Sequence, residues 1–128
     1  MGVARGLTWV FQQVDEAIIF EDDNRPDLSF FKFARSMLEC YRDREDVFYI
    51  SGSNPLIEWK NSYQSYHFAL NGNTWGWATW RRAWKYYDHS MQAFDDPIIR
   101  EKVKKRYLDL YIWKAYGYPL FDQTRRGY

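Results

Sequence analysis

A single cysteine, Cys40, stands among 128 residues. One thiol cannot staple a chain internally, and small secreted domains usually carry paired cysteines, so disulfide-scaffold classes are excluded. Long hydrophobic runs are missing too. No unbroken apolar run exceeds four residues, Ala17–Phe20 being one of them, against the roughly 20 that a membrane-spanning helix needs. No basic-then-apolar leader pattern opens the sequence. These absences lead to the expectation of a cytoplasmic protein, or one peripheral on the cytoplasmic membrane face. Several chemistries are missing as well. There is no Gly-rich phosphate loop, nucleophile elbow or zinc motif. His67 and His89 have no second His or Cys at metal-ligand spacing, and Ser51 has no evident base to make it a nucleophile.

What is abundant is aromatic. Phe, Trp and Tyr make up 21% of the chain, yet mean hydropathy is −0.67, so rings are interleaved with charge rather than pooled. That pattern excludes disorder, and the length fits one globular domain. The net charge of +1 conceals an asymmetry: residues 1–97 carry 10 basic and 14 acidic side chains, residues 98–128 carry 8 and 3. Lys102, Lys104, Lys105 and Arg106 could attract phosphate or anionic lipid, or could be the solvated face of a helix.

Val3, Leu7, Val10 or Phe11, and Val14 recur at helical spacing and predict an opening amphipathic helix. Ala17–Phe20 reads as a buried strand covered on both faces. Pro26 and Asp27 punctuate a second helix, with Asp27 or Ser29 as N-cap and a stripe of Phe30, Phe31, Ala34, Met37, Leu38 and Tyr41. Val47–Ile50 reads as a second strand, closed by the turn formers Ser51 to Pro55. Tyr66, Phe68 and Leu70 alternate with His67 and Ala69 and predict a third strand. Trp77, Trp80, Trp84 and Tyr87, spaced three, four and three apart, predict one face of a short helix. Asp96-Pro97 starts a last helix with Ile99, Val103, Tyr107 and Leu110 as its stripe, stopped by Gly117 and Pro119. The alternation indicates an α/β fold, a small mixed sheet flanked by helices.

Two segments could carry chemistry. The strand Ala17–Phe20 runs directly into Glu21-Asp22-Asp23, and open α/β sheets bind ligands beyond the carboxyl ends of their strands. Adjacent carboxylates repel unless a cation or hydrogen-bond donors compensate. Hard oxygen donors suit Mg²⁺ or Mn²⁺, which typically take one or two carboxylates together with substrate phosphates. A solvated turn capping the next helix is the plainer alternative. The second segment, Asn73 to Trp80, sets Gly76 between the indoles of Trp75 and Trp77. Flat rings can stack on a sugar, and a glycine allows close backbone approach. Alternatively the indoles belong to the core.

The run Asp15-Glu16-Ala17-Ile18-Ile19-Phe20-Glu21-Asp22-Asp23 resembles the metal and donor motif of GT-A nucleotide-sugar glycosyltransferases, in the branch of N-acetylglucosaminyltransferase I and its bacterial relatives. Pro26–Phe33, Ile50–Asn54 and Asn73–Trp84 are similar to later blocks of that branch, in the same order, so the resemblance covers about Gly6 to Asp88. It implies a partial GT-A, Rossmann-like fold and metal-dependent transfer of a sugar from a nucleotide-diphosphate donor to a glycan or other hydroxyl acceptor. It implies further that Asp23 ligates Mn²⁺ (or Mg²⁺) with Asp22 beside it, and that Glu21 and Asp22 contact the donor or metal-bound water. Ser51, Asn54, Trp75, Gly76 and Trp77 would then line the donor and acceptor side. Asp109, near Trp113, is the best available base, followed by Asp95 and Asp96. Because the family's nucleotide-base-holding half should precede Met1, the expectation is the metal-motif and acceptor-side half of a larger domain, completed by an N-terminal half or another chain and inactive by itself. The competing reading is a non-catalytic carbohydrate or protein interaction module with an aromatic binding surface. Nucleic-acid binding is disfavoured, since the basic tail lacks aromatics suited to base stacking in a basic groove.

Overall fold

The computed structural model describes residues 2–54, 63, 65–70 and 72–106. The chain divides into two compact units, residues 1–86 and 87–128. The first unit contains helix α1 (Gly2–Gln13), strand β1 (Glu16–Ile19), helix α2 (Leu28–Cys40), strands β2 (Ile50–Ser51) and β3 (Trp77–Trp80), and the one-turn helix α3 (Arg81–Trp84). The described part of the second unit contains a 3₁₀ turn (Gln92–Asp95) and helix α4 (Pro97–Arg106). Among the described residues no helix is long and apolar enough to cross a membrane.

The three strands form one sheet in the order β1-β3-β2, with β3 antiparallel to both neighbours. The sheet is therefore antiparallel in each pair rather than mixed, and β1 and β2 run parallel to each other on either side of β3. β1 was expected to be covered on both faces. Instead it is an edge strand among the described residues, and all four of its residues are half-buried. Its apolar run sets Ile18 against the core rather than marking a central place in the sheet.

That core is assembled from Ala34 and Leu38 of α2, Val47, Ile50 of β2, and Ala78 and Trp80 of β3. Pleat explains the choice in β3, where side chains two apart share a face. Ala78 and Trp80 turn toward α2, while Trp77 stacks on Tyr49 and the Thr79 hydroxyl donates to Phe48 O at 2.7 Å. The predicted tryptophan stripe is thus overturned: Trp77 and Trp80 belong to a strand, and helix begins only at Arg81. Aromatic and β-branched residues favour a pleated surface, and strand pairing with both neighbours outweighs the chance helical spacing. Tyr66 to Leu70 is not a strand either. Its alternation is used for ring packing, with Tyr66 and Phe68 both set edge-on against Tyr41 of the α2 exit at 6.3 and 5.5 Å. Of Val47–Ile50, only Ile50 enters the ladder, followed by Ser51.

The helices follow the sequence more closely. Leu7 and Phe11 are the buried face of α1, whereas Val3 and Val14 are exposed. Asp27 caps α2, its Oδ1 accepting from Ser29 N at 2.8 Å, which holds its carboxyl below the usual range. Asp96 caps α4 in the same manner through Ile98 N at 2.7 Å, with Pro97 in the first turn. Ile99 and Val103 are half-buried there; Tyr107, Leu110 and the stop at Gly117 and Pro119 lie outside the described residues.

Helix exits leave carbonyls without intrahelical partners and carry the negative end of the helix dipole. Two consecutive arginines after β3 satisfy this need at two helices. Arg81 donates from Nε to Val14 O at 3.2 Å and pairs with Asp15 at 3.1 Å, at the end of α1. Arg82 spreads its fork over the α2–β2 connection, reaching Arg42 O at 2.6 Å, Tyr41 O at 2.8 Å and Val47 O at 2.9 Å. Its guanidinium also lies 4.2 Å over the Trp80 ring, and Trp80 Nε1 donates to Leu38 O at 3.1 Å in the last turn of α2. Arg82→Ala should destabilise the first unit by about 2–3 kcal/mol, the scale of hydrogen bonds to a charged donor. Arg82→Lys should recover less than half of that loss in a urea titration, because an ammonium cannot reproduce three diverging planar donors.

Candidate functional site

The register brings three loops to one edge of the sheet. Ile19, at the end of β1, and Ser51, at the end of β2, are both partnered with Trp77, the first residue of β3. The carboxyl ends of β1 and β2 and the entry to β3 therefore emerge side by side. This juxtaposition gathers Glu21-Asp22-Asp23, Ser51 to Asn54 and Asn73 to Gly76, which are separated by up to 55 residues in sequence.

Beside this edge lies an open cleft of about 1320 Å³, walled by Phe20, Asn24, Ser51, Asn54, Trp75 and Gly76 among others. Its far end is formed by the rings of Phe33, Tyr41, Tyr66 and Phe68 together with Met37. The volume exceeds the usual range for an enclosed small-ligand pocket, as an open cleft's does.

The individual residues are placed as follows. Glu21, Asp22 and Asp23 are exposed in a tight turn between two cleft-wall residues, Phe20 and Asn24. The turn is closed by Asn24 N donating to Glu21 O at 3.1 Å, and Asn24 Nδ2 donates to Asp23 Oδ1 at 3.0 Å. Among the described residues no three His, Cys, Asp or Glu side chains are gathered into a group that could hold a metal ion. Glu16, at the other end of β1, is engaged elsewhere, with both of its oxygens held by Arg42 at 3.2 Å.

Ser51 is half-buried, and its hydroxyl is committed to the chain. It accepts from Ser53 N at 3.4 Å and Asn73 N at 3.3 Å and so ties the two turns together. Asn54 is exposed on the cleft wall. Asn73 Oδ1 accepts from Trp75 N at 3.3 Å, an Asx turn that presents Trp75 with 67% of its surface exposed. Trp77 is instead occupied by Tyr49, with ring centroids 4.9 Å apart and planes 21° from parallel. Gly76 has φ +71°, a left-handed conformation that favours glycine, and its close approach is to the Phe20 ring. Asp109 lies outside the described residues. Asp95 is part of the second unit, as is Asp96, which caps α4.

Sequence reasoning missed three contributors to this edge. Arg25, next to the acidic turn, lines the cleft and is the nearest cation in sequence. Nothing but its position after three acids could have signalled it. Tyr49 supports Trp77 and donates its hydroxyl to Asn73 O. Gly52 gives its N–H to Gly76 O at 2.8 Å.

Burial pushes the Tyr49 phenol up to about 12. At the other end of the cleft the hydrogen bond with Tyr66 at 2.7 Å, and then burial, push Tyr41 up to about 12 as well. Comparison with protein-family models, curated proteins and solved structures finds no match for this chain. Raised phenol values mean that the folded state holds these protons more tightly than the unfolded one, so their stabilisation is complete below pH 10 and lost as pH rises toward 12. Thermal melts between pH 10 and 12 should show the first unit weakening steeply, with a shallower fall in Tyr49→Phe despite its lower starting stability.

Proposed function

We propose that this chain is the metal-motif and acceptor-side segment of a metal-dependent nucleotide-sugar glycosyltransferase of the GT-A type. The observation that carries the reading is the shared register at Trp77, which brings an exposed acidic turn, a Ser-Gly-Ser-Asn turn and an exposed indole to one edge of the sheet beside one cleft. The order of sequence blocks supports it independently.

The donor set fits the implied cation. A closed cage of protein ligands would suit a structural metal, whereas Asp22 and Asp23, adjacent and exposed, suit an ion that keeps water and takes phosphate oxygens. A bound Mn²⁺ or Mg²⁺ would supply Lewis-acid neutralisation of the departing diphosphate. The chain's own groups do the rest. Asp23 and Asp22 would hold the ion, and Glu21 would face the donor. Arg25, on the cleft wall, adds positive charge for the diphosphate oxygens. Trp75 offers its flat face to a sugar ring, and Asn54 stands on the same cleft wall. In the transfer, the bond between the anomeric carbon and the diphosphate breaks, a bond to the acceptor oxygen forms, and an acidic side chain takes the hydroxyl proton.

The committed hydroxyl of Ser51 and the stacked ring of Trp77 narrow the set of direct contacts. Both serve the shape of the site, while Asp22, Asp23, Arg25 and Trp75 are exposed at it.

Calorimetry with a uridine-diphosphate sugar should give Mn²⁺-dependent binding that Asp23→Ala removes and Arg25→Ala weakens severalfold. Equal affinity with and without Mn²⁺ counts against the reading. Glycan binding that survives chelator and Asp23→Ala but fails in Trp75→Ala would establish the non-catalytic interaction module instead.

A further inference from the structure

We propose that Phe20 is a positioning residue that fixes the acidic turn to the Trp75–Trp77 lip, so that carboxylate placement and lip geometry behave as one unit; this rests on the metal-dependent reading above. Phe20 lies between the last residue of β1, Ile19, and Glu21, so the direction in which the acids leave the sheet is set at its backbone. Its ring is held on three sides. The Phe30 ring meets it edge-on at 5.3 Å, and the Phe31 ring is tilted against it at 5.5 Å. On the third side is Gly76, where an added Cβ would stand 2.8 Å from Phe20 Cε1.

These contacts close on themselves. Gly76 O accepts from Gly52 N at 2.8 Å, and Gly52 lies under the Phe30 ring, where an added Cβ would come within 2.4 Å of Cε2. The circuit Phe20–Gly76–Gly52–Phe30 therefore links the exits of β1 and β2, the entry of β3 and the first turn of α2. By contrast, among the described residues the acidic turn's hydrogen bonds are the two to Asn24. Its placement relative to the indole lip is thus inherited from the ring at Phe20. Residues that orient metal ligands without touching the ion typically cost 10–100-fold in affinity when removed.

The test is Mn²⁺ binding to the full chain, read by electron paramagnetic resonance of the free ion, with Mn²⁺ alone and with uridine diphosphate present. Phe20→Ala should weaken binding about tenfold, and Gly76→Ala should act in the same direction. Phe20→Leu, which keeps an apolar filler but loses the plane, should weaken it severalfold with an unchanged near-ultraviolet spectrum from the Trp80 core. Should Phe20→Ala not fold, Phe20→Leu decides. Wild-type Mn²⁺ affinity in the folded Phe20 variants, with only the melting temperature lowered, would overturn the proposal and leave the metal-dependent reading standing. Absence of Mn²⁺ binding in the wild-type chain under both conditions would overturn that reading and this proposal together.

Discussion

The guanidinium of Arg82, laid over the Trp80 ring and spread across three carbonyls, is the interaction on which the first unit depends. It solves an electrostatic problem that the chain creates for itself. α2 ends at Cys40 and the backbone must turn back to reach β2 by Ile50, so several carbonyls crowd a region partly shielded from water. Unpaired, such groups cost more than an ordinary hydrogen bond returns. Trp80 Nε1 takes one carbonyl from within the last turn, and Arg82 takes the next ones along. Trp80 closes β3 and Arg82 stands two residues beyond it, so the exit of the central strand also fixes the helix packed on it.

Once β3 is seated, the edge of the sheet follows. Its antiparallel pairing with both neighbours makes β1 and β2 exit in one direction, and that is why an acidic turn near residue 22 and a polar turn near residue 52 become neighbours. The glycines at this edge serve rings more than ligands. Gly72 lies beneath Tyr49, Gly52 beneath Phe30 and Gly76 beneath Phe20. Aromatic mass thus forms the floor of the site, and polar groups are carried on top of it.

Much of this was legible residue by residue. The N-caps at Asp27 and Asp96, the α2 stripe through Ala34 and Leu38, and the strand ending in three acids all follow from local chemistry that the structure retains. What misled was periodicity without partners. Trp77, Trp80 and Trp84 have helical spacing, but pairing with β1 and β2, invisible in a local pattern, decides for strand. Tyr66 and Phe68 alternate as a strand does, yet their rings answer to Tyr41 across the helix exit. The roles of Arg81 and Arg82 were illegible for the same reason. A charge beside a tryptophan stripe reads as solvated surface until the carbonyls it serves are brought to it from 35 to 67 residues away.

The central strand of the sheet is also the last of the three in the chain, and this bears on the order of events during synthesis. Among the described residues, neither β1 nor β2 has a ladder partner other than β3. A nascent chain can form α1 and α2 from local contacts, but the sheet must wait until residues 77–80 leave the ribosome, since non-local pairings form only after the intervening loop is closed. Until then the apolar run of Ala17–Phe20 and the aromatic face of α2 remain uncovered, the state in which chains are most prone to associate. Arg81 and Arg82 emerge immediately after the strand. The donors that secure both helix exits thus arrive together with the strand that completes the sheet.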